Sequence, residues 1–500
     1  MMAAGALLAG AVAVTPLVYL LIRTAEAGWE RVAEELLTTR VALLASRSLL
    51  LAAVVTTACL VLGAGTAYLV VRTDLPGRRF FGVLAALPLA VPTYVAGFCW
   101  IAAVDAFEGF WAAALLLTLC SYPYVYLPVA AALAGADPAQ EEVARSLGHG
   151  PWRTLTGVTL RQIRPAVAAG GLLVALYVLS DFGAVSLTRF HTFTVAIFTA
   201  VDLGFDKTGA LVLSTVLVVL TVALLAGEMA TRRRGARYAR VGSGARHQAP
   251  QRKLGAWRWP LAGALSGVAF LSLGVPALSL AQRMIEGVSR ADPLGEVAVA
   301  AGNSLRVSAL GAALSVLLAL PVGLYAVRGS GWLPGLLERV SYAGHGLPGL
   351  VIGLSLVAFG VHVVYPLYQT TTMLALAYAV LFLPLAVGSV HAAAAQAPPG
   401  LEEVARSLGR TPWSVFRTVT IPLTAPGIAT GAALVMLTCM KELAATLMLR
   451  PTGMDTLATE LWTQTSAGAY AGAAPYAALL VALSAIPTWL LVRGNYRELS

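Results

Sequence analysis

The sequence is short of charge. Asp, Glu, Lys and Arg make up 12% of its 500 residues, where water-soluble domains carry about 25%. With 58% apolar residues and a mean hydropathy of +0.78, such a chain cannot cover a surface facing water. That excludes a soluble enzyme, a disordered chain and a fibrous one, and makes the bilayer the natural solvent. Lysine is scarcer still: only Lys207, Lys253 and Lys441 occur, and none follows a glycine. The phosphate loop GxxxxGK[ST] is therefore missing, so any ATP hydrolysis has to come from a partner and the chain is not expected to be an enzyme. The four cysteines, Cys59, Cys99, Cys120 and Cys439, lie in apolar runs with neither disulfide nor zinc spacing. They read as small core residues.

What is present in quantity is long apolar runs. A hydrocarbon layer about 30 Å thick needs roughly 20 apolar residues in a helix. Twelve candidates run approximately over 3–22, 48–71, 80–104, 110–134, 165–187, 209–229, 259–282, 304–327, 340–362, 371–394, 426–448 and 472–492. The first has no early basic residue, and Arg23 follows its apolar run, so it reads as a retained helix and not as a cleaved signal. With both termini cytoplasmic, the inward loops hold 23 Lys and Arg and the outward segments 10, with Lys441 inside a span. That bias sets the orientation. The net charge of +10 then reflects inward loops. The basic stretch 230–258, nine basic residues without an acid, reads as a linker facing anionic headgroups and not as a nucleic-acid site.

The chain also contains itself twice. Residues 141–148 read EEVARSLG, and residues 402–409 read EEVARSLG again, an offset of 261. The match extends to Pro151-Trp152 with Pro412-Trp413, Val158-Thr159 with Val419-Thr420, and Pro165 with Pro426. Upstream, Leu127-Pro128 pairs with Leu383-Pro384 at an offset of 256. The expected architecture is all-α, about twelve membrane helices in two parallel six-helix repeats: a first half over 1–229, the basic linker 230–258 and a second half over 259–500.

Each EEVARSLG falls in an inward loop. Asp137 suits an N-cap, Pro138 the first helical position, and Gln140 the far corner of a capping box. Gly148 and Gly409 suit helix ends, and Thr411-Pro412 suits a cap followed by the first turn of the next helix. A passive loop has no reason to keep the same eight residues twice.

These loops resemble the EAA loop of the integral-membrane subunits of bacterial ABC importers. The resemblance implies helices that couple to separate ATPase subunits, two copies of them. By motif match it assigns that role to Glu141, Glu142 and Gly148 in the first half and to Glu402, Glu403 and Gly409 in the second. There are departures: Val143 and Val404 replace the first alanine of the motif, Arg161 stands where the second copy has Pro422, and Leu155 where it has Phe416.

Ionisable residues inside spans are costly and usually functional. Asp181 and Glu442 are 261 apart, hence equivalent, and Lys441 adjoins the second. All three are candidates for the substrate path; the alternative is a structural polar contact with neighbouring helices. Their surroundings, SDFGAVSL and KELAATLMLRP, resemble those of fused permeases of ferric-iron importers. That implies Fe³⁺ handed over by a periplasmic binding protein, with thiamine, a polyamine or an oxyanion as other cargoes of the same class. No cofactor and no resident metal are assigned. His149, His191, His247, His345, His362 and His391 form no i, i+4 ligand pair. Tyr122, Tyr124 and Tyr126 suit helix packing around Pro123 and Pro128 better than iron ligation. Pro92, Pro348 and Gly349 mark bends that could border a cavity. An ion-coupled secondary transporter of twelve spans is the competing class.

Overall fold

The computed structural model describes residues 2–136, 138–202, 204, 207–232, 251–286, 294–342, 344 and 347–498. Asp137, His247, His345 and residues 233–250 of the linker lie outside them. The described chain is helical from end to end, with one isolated backbone bridge between Thr73 and Arg252.

Among the described residues, nine helices are long and apolar enough to cross a membrane: Met2–Glu26, Thr39–Arg72, Gly109–Ala134, Trp152–Ser180, Thr208–Gly227, Gly255–Glu286, Leu294–Arg328, Thr371–Gln396 and Pro412–Met440. Each overlaps one of the twelve expected runs. The run 80–104 is a pair, Arg78–Ala90 and Thr93–Ala103, bent by 96°. The cause is local: Pro92 caps the second helix, has no N–H to continue the first, and holds an extended conformation. The two remaining runs are shorter as apolar helices. Gly349–His362, opened by Pro348, has 14 residues, and the apolar part of the last helix covers Tyr470–Ala485. A periodicity count does not see these interruptions, because proline and glycine breaks leave hydropathy almost unchanged.

Two compact units form, and neither coincides with a sequence half. One comprises Met1–Leu37, Ile197–Val218 and Asp292–Thr463; the other comprises Thr38–Ala196, Val219–Ala291 and Gln464–Ser500. In the first unit, Met2–Glu26 lies on Leu294–Arg328, which in turn packs on Thr371–Gln396 and Ile421–Met440. Tyr19 meets Phe359 edge-on at 5.6 Å between ring centres. In the second unit, Thr39–Arg72 packs on Pro123–Ala134 and Leu160–Ser180, while Val275–Glu286 packs on Thr93–Ala103. The opening helix of each half is therefore packed with the helices of the other half.

Small residues set the closest crossings, as expected where lipid removes most of the hydrophobic drive and van der Waals fit decides. A Cβ on Gly170 would come within 2.8 Å of the Val125 backbone, and one on Gly63 within 2.8 Å of the Tyr122 carbonyl oxygen. Tyr122 and Tyr126 are buried in this unit, and the Tyr126 hydroxyl donates to the Gly82 carbonyl at 3.1 Å. Tyr124 packs against the ring of Tyr177 at 5.4 Å. The tyrosine run thus serves packing.

Candidate functional site: two matched hairpins and two capped breaks

Each EEVARSLG motif forms a short helix, a glycine turn and a second helix. The first helix is Pro138–Ser146 in one copy and Pro399–Ser407 in the other. Gly148 and Gly409 close them with φ of +81° and +78°, a left-handed conformation that glycine adopts at least cost. The Gly148 N–H donates to Arg145 and the His149 N–H to Ala144; the Gly409 N–H donates to Arg406 and the Arg410 N–H to Ala405. Both are six-residue terminal loops that satisfy the last carbonyls. The following helices start at Pro151 and Pro412, and Thr411 accepts from the Ser414 N–H at 3.3 Å. In the first copy the Gln140 side chain accepts from Gln162 at 2.9 Å.

The adjacent glutamates of each motif have opposite fates. Glu141 and Glu402 are 8% and 5% exposed. Glu141 accepts from the Thr159 hydroxyl at 2.9 Å and pairs with Arg72 at 3.4 Å and Arg145 at 3.2 Å. Glu402 accepts from the Thr420 hydroxyl at 2.7 Å and pairs with Arg328 and, at 3.4 Å, with Arg406. Each carboxylate therefore bolts its hairpin to the end of a long helix, Thr39–Arg72 or Leu294–Arg328, and to a π-helical turn, Leu155–Thr159 or Phe416–Thr420. Burying a carboxylate is tolerable only with such partners. Glu142 and Glu403 are exposed. Beside them stand exposed Val143 and Leu147, or Val404 and Leu408, with Trp152 and Trp413 on the second helices. Each anchored hairpin thus presents an exposed acid next to an exposed apolar stripe.

The arginines leave a signal in the sequence. Val71-Arg72 and Val327-Arg328 recur at the offset of 256 that relates the upstream parts of the halves, and a search for repeated charged positions outside the motif finds them. Thr159 and Thr420 belonged to the matched pairs, without an assigned partner.

The first hairpin has one attachment that the second lacks a described equivalent of. The linker end crosses the foot of its anchor helix: the Arg252 N–H donates to the Arg72 carbonyl at 2.8 Å, the Asp74 N–H to the Arg252 carbonyl at 3.2 Å, and the Leu254 N–H to the Asp74 carboxylate at 2.7 Å.

Asp181 and Glu442 sit in helix breaks. Leu160–Ser180 ends before Asp181 and Ile421–Met440 ends before Lys441. Asp181 then caps the short helix Gly183–Leu187, accepting from the Ala184 and Val185 N–H groups at 2.9 and 3.3 Å and from the Thr93 hydroxyl at 2.6 Å. Glu442 caps Ala444–Leu449, accepting from the Ala445 N–H at 2.9 Å. Where the first half has Thr93 the second has Gly349, at the same offset as Pro92 and Pro348. A Cβ on Gly349 would lie 2.5 Å from the Glu442 Oε1. The longer acid and the missing side chain compensate one another. Lys441 is half-buried.

No group of three or more His, Cys, Asp or Glu side chains poised to hold a metal ion exists among the described residues. His391 Nδ1 lies 2.9 Å from Glu338, and His362 Nδ1 lies 2.8 Å from the Ala358 carbonyl. The four cysteines are buried free thiols.

Comparison with known proteins places the chain in a family. The family model described as binding-protein-dependent transport system inner membrane component matches residues 59–232 and 315–493, one segment in each half. The Fe(3+)-transport system permease protein FbpB 2 of Haemophilus influenzae is 39% identical over 485 residues, 96% of either chain. More distant relatives match about a third of this chain. The sulfate transport system permease protein CysT of Escherichia coli is 31% identical over 185 residues, 34% of this chain and 67% of that one. The putative 2-aminoethylphosphonate transport system permease protein PhnV of Salmonella typhimurium is 33% identical over 169 residues, 33% of this chain and 61% of that one. Two family segments, two bolted hairpins and a relative aligned almost end to end lead to one assignment: the chain belongs to the family of binding-protein-dependent transport system inner membrane components.

Proposed function

We propose that the chain is the membrane permease of an ATP-driven importer that moves ferric iron, delivered by a periplasmic binding protein, into the cytoplasm. The observation that carries this reading is the matched pair of hairpins, each bolted by a buried glutamate and each presenting an exposed glutamate beside an apolar stripe. Glu142 and Glu403 contact the ATPase subunits, one per hairpin, so two copies engage. Glu141 and Glu402 act from inside, transmitting displacement of the hairpin to the helices ending at Arg72 and Arg328. Gly148 and Gly409 fix the turn between the two helices of each hairpin. Both termini and the linker lie on the cytoplasmic side, and the two halves 1–229 and 259–500 act as repeats. Asp181, Lys441 and Glu442 lie at the breaks through which the cargo path runs.

Iron rests on the relative that aligns over 96% of both chains and is named for Fe(3+) transport. A hard cation of that kind selects oxygen donors. The test of cargo is uptake by the reconstituted chain with its ATPase and binding protein, offered ferric iron, sulfate and an aminophosphonate in turn. Uptake of iron alone is expected; uptake of an oxyanion in its place rejects the cargo and keeps the transport class.

A further inference from the structure

One departure between the two halves follows the hairpins, at Arg161 and Arg164. On the first span after the hairpin, a cleft of about 230 Å³ is lined by Thr156, Leu160, Arg161, Arg164 and Val167. Both arginines are exposed, and among the described residues neither has an ion-pair or hydrogen-bond partner. The Thr156 hydroxyl is already donated to the Trp152 carbonyl at 3.0 Å, so the cleft's donors are the two guanidinium groups. The cleft begins at the π-helical turn and runs onto the span Trp152–Ser180. The two arginines therefore lie between Leu160, on the hairpin side, and Val167, further along the span. The second half holds Pro422 and Ala425 at the places of Arg161 and Arg164, so the basic pair belongs to the first half alone.

We propose that this cleft binds the phosphodiester headgroup of an acidic phospholipid, with one acyl chain running along Val167 into the span. Its donors are two guanidiniums one turn apart, which suit phosphate oxygens. Two observations favour a lipid over a soluble anion: the site lies on the outside of an apolar span, and its floor is apolar. Basic pockets at the cytoplasmic ends of membrane helices recognise headgroups in this way.

Native mass spectrometry of the full-length chain, titrated with phosphatidylglycerol or phosphatidylcholine, reads the site directly. Two arginines at a headgroup predict a preference for phosphatidylglycerol of roughly 20- to 30-fold. Arg161→Gln/Arg164→Gln removes most of it, Arg161→Lys/Arg164→Lys keeps a part, and Arg153→Gln, outside the cleft, keeps it all. Excess inorganic phosphate leaves the bound lipid in place. Equal retention of both lipids, or unchanged phosphatidylglycerol binding in the double glutamine variant, overturns the proposal. So does displacement by inorganic phosphate, which assigns the cleft to a free anion. Thermal unfolding in phosphatidylcholine alone is expected to be the same for all variants; a glutamine variant that unfolds early shows that the arginines serve the fold, and also overturns it.

Discussion

Two glutamates stand side by side in each hairpin, and burial separates them. Glu402→Ala leaves Arg328 and the Thr420 hydroxyl facing an empty acceptor site. Removing one partner of a buried pair costs about 3–5 kcal/mol. Arg328 keeps 17% of its side chain exposed, so a loss of about 2–3 kcal/mol is expected here, read as a lower melting temperature of the purified chain. Glu403→Ala alters an exposed site and should leave stability within about 0.5 kcal/mol while weakening capture of the ATPase subunit in a pull-down. Equal behaviour of the two variants contradicts the division of roles. At the helix breaks, Gly349→Thr drives a side chain into Glu442, an overpacking cost of about 1–3 kcal/mol. Gly349→Thr/Glu442→Asp recreates the Thr93–Asp181 pair and should recover most of the loss in a double-mutant cycle on melting temperature. Additive losses would show that glycine and glutamate do not compensate.

Among elements, the glycine turns and the linker clip are the ones to perturb. Gly148→Ala and Gly409→Ala place a side chain at φ near +80°, costing about 1–2 kcal/mol each. Faster amide exchange is expected over the last turn of the short helix, measured by mass spectrometry. Unchanged exchange would mean that the hairpin does not depend on that turn. Asp74→Ala removes the acceptor for the Leu254 N–H and should speed exchange at Arg252 and Leu254 without touching the second hairpin. Much at this scale was legible. The repeat, the glycine stops and the proline starts follow from local chemistry, which acts within a few residues and is written in the sequence. The recurrence of Arg72 and Arg328 was legible, but their pairing with Glu141 and Glu402 was not. Arg72 and Arg328 are about 70 residues upstream of their carboxylates, and only packing brings them there. The bend at Pro92 was marked by its residue type, but its 96° angle was not.

Across the whole chain, composition alone placed the protein in the bilayer, and the two family segments bear out the double transport fold. What composition could not show is the exchange of opening helices, because Met2–Glu26 and Gly255–Glu286 are equally apolar against either half. The role of Asp181 and Glu442 is similarly split: the sequence marked them as costly, and the structure uses both as helix caps. The account rests on coupling from outside. It is tested most directly by reconstituting the full chain in vesicles with and without its ATPase subunits, with binding protein and ferric iron outside. Iron entry that needs both ATPase and ATP, and that Glu142→Ala/Glu403→Ala reduces at least tenfold, is the predicted result. Iron entry by the chain alone, driven by an ion gradient, would contradict it.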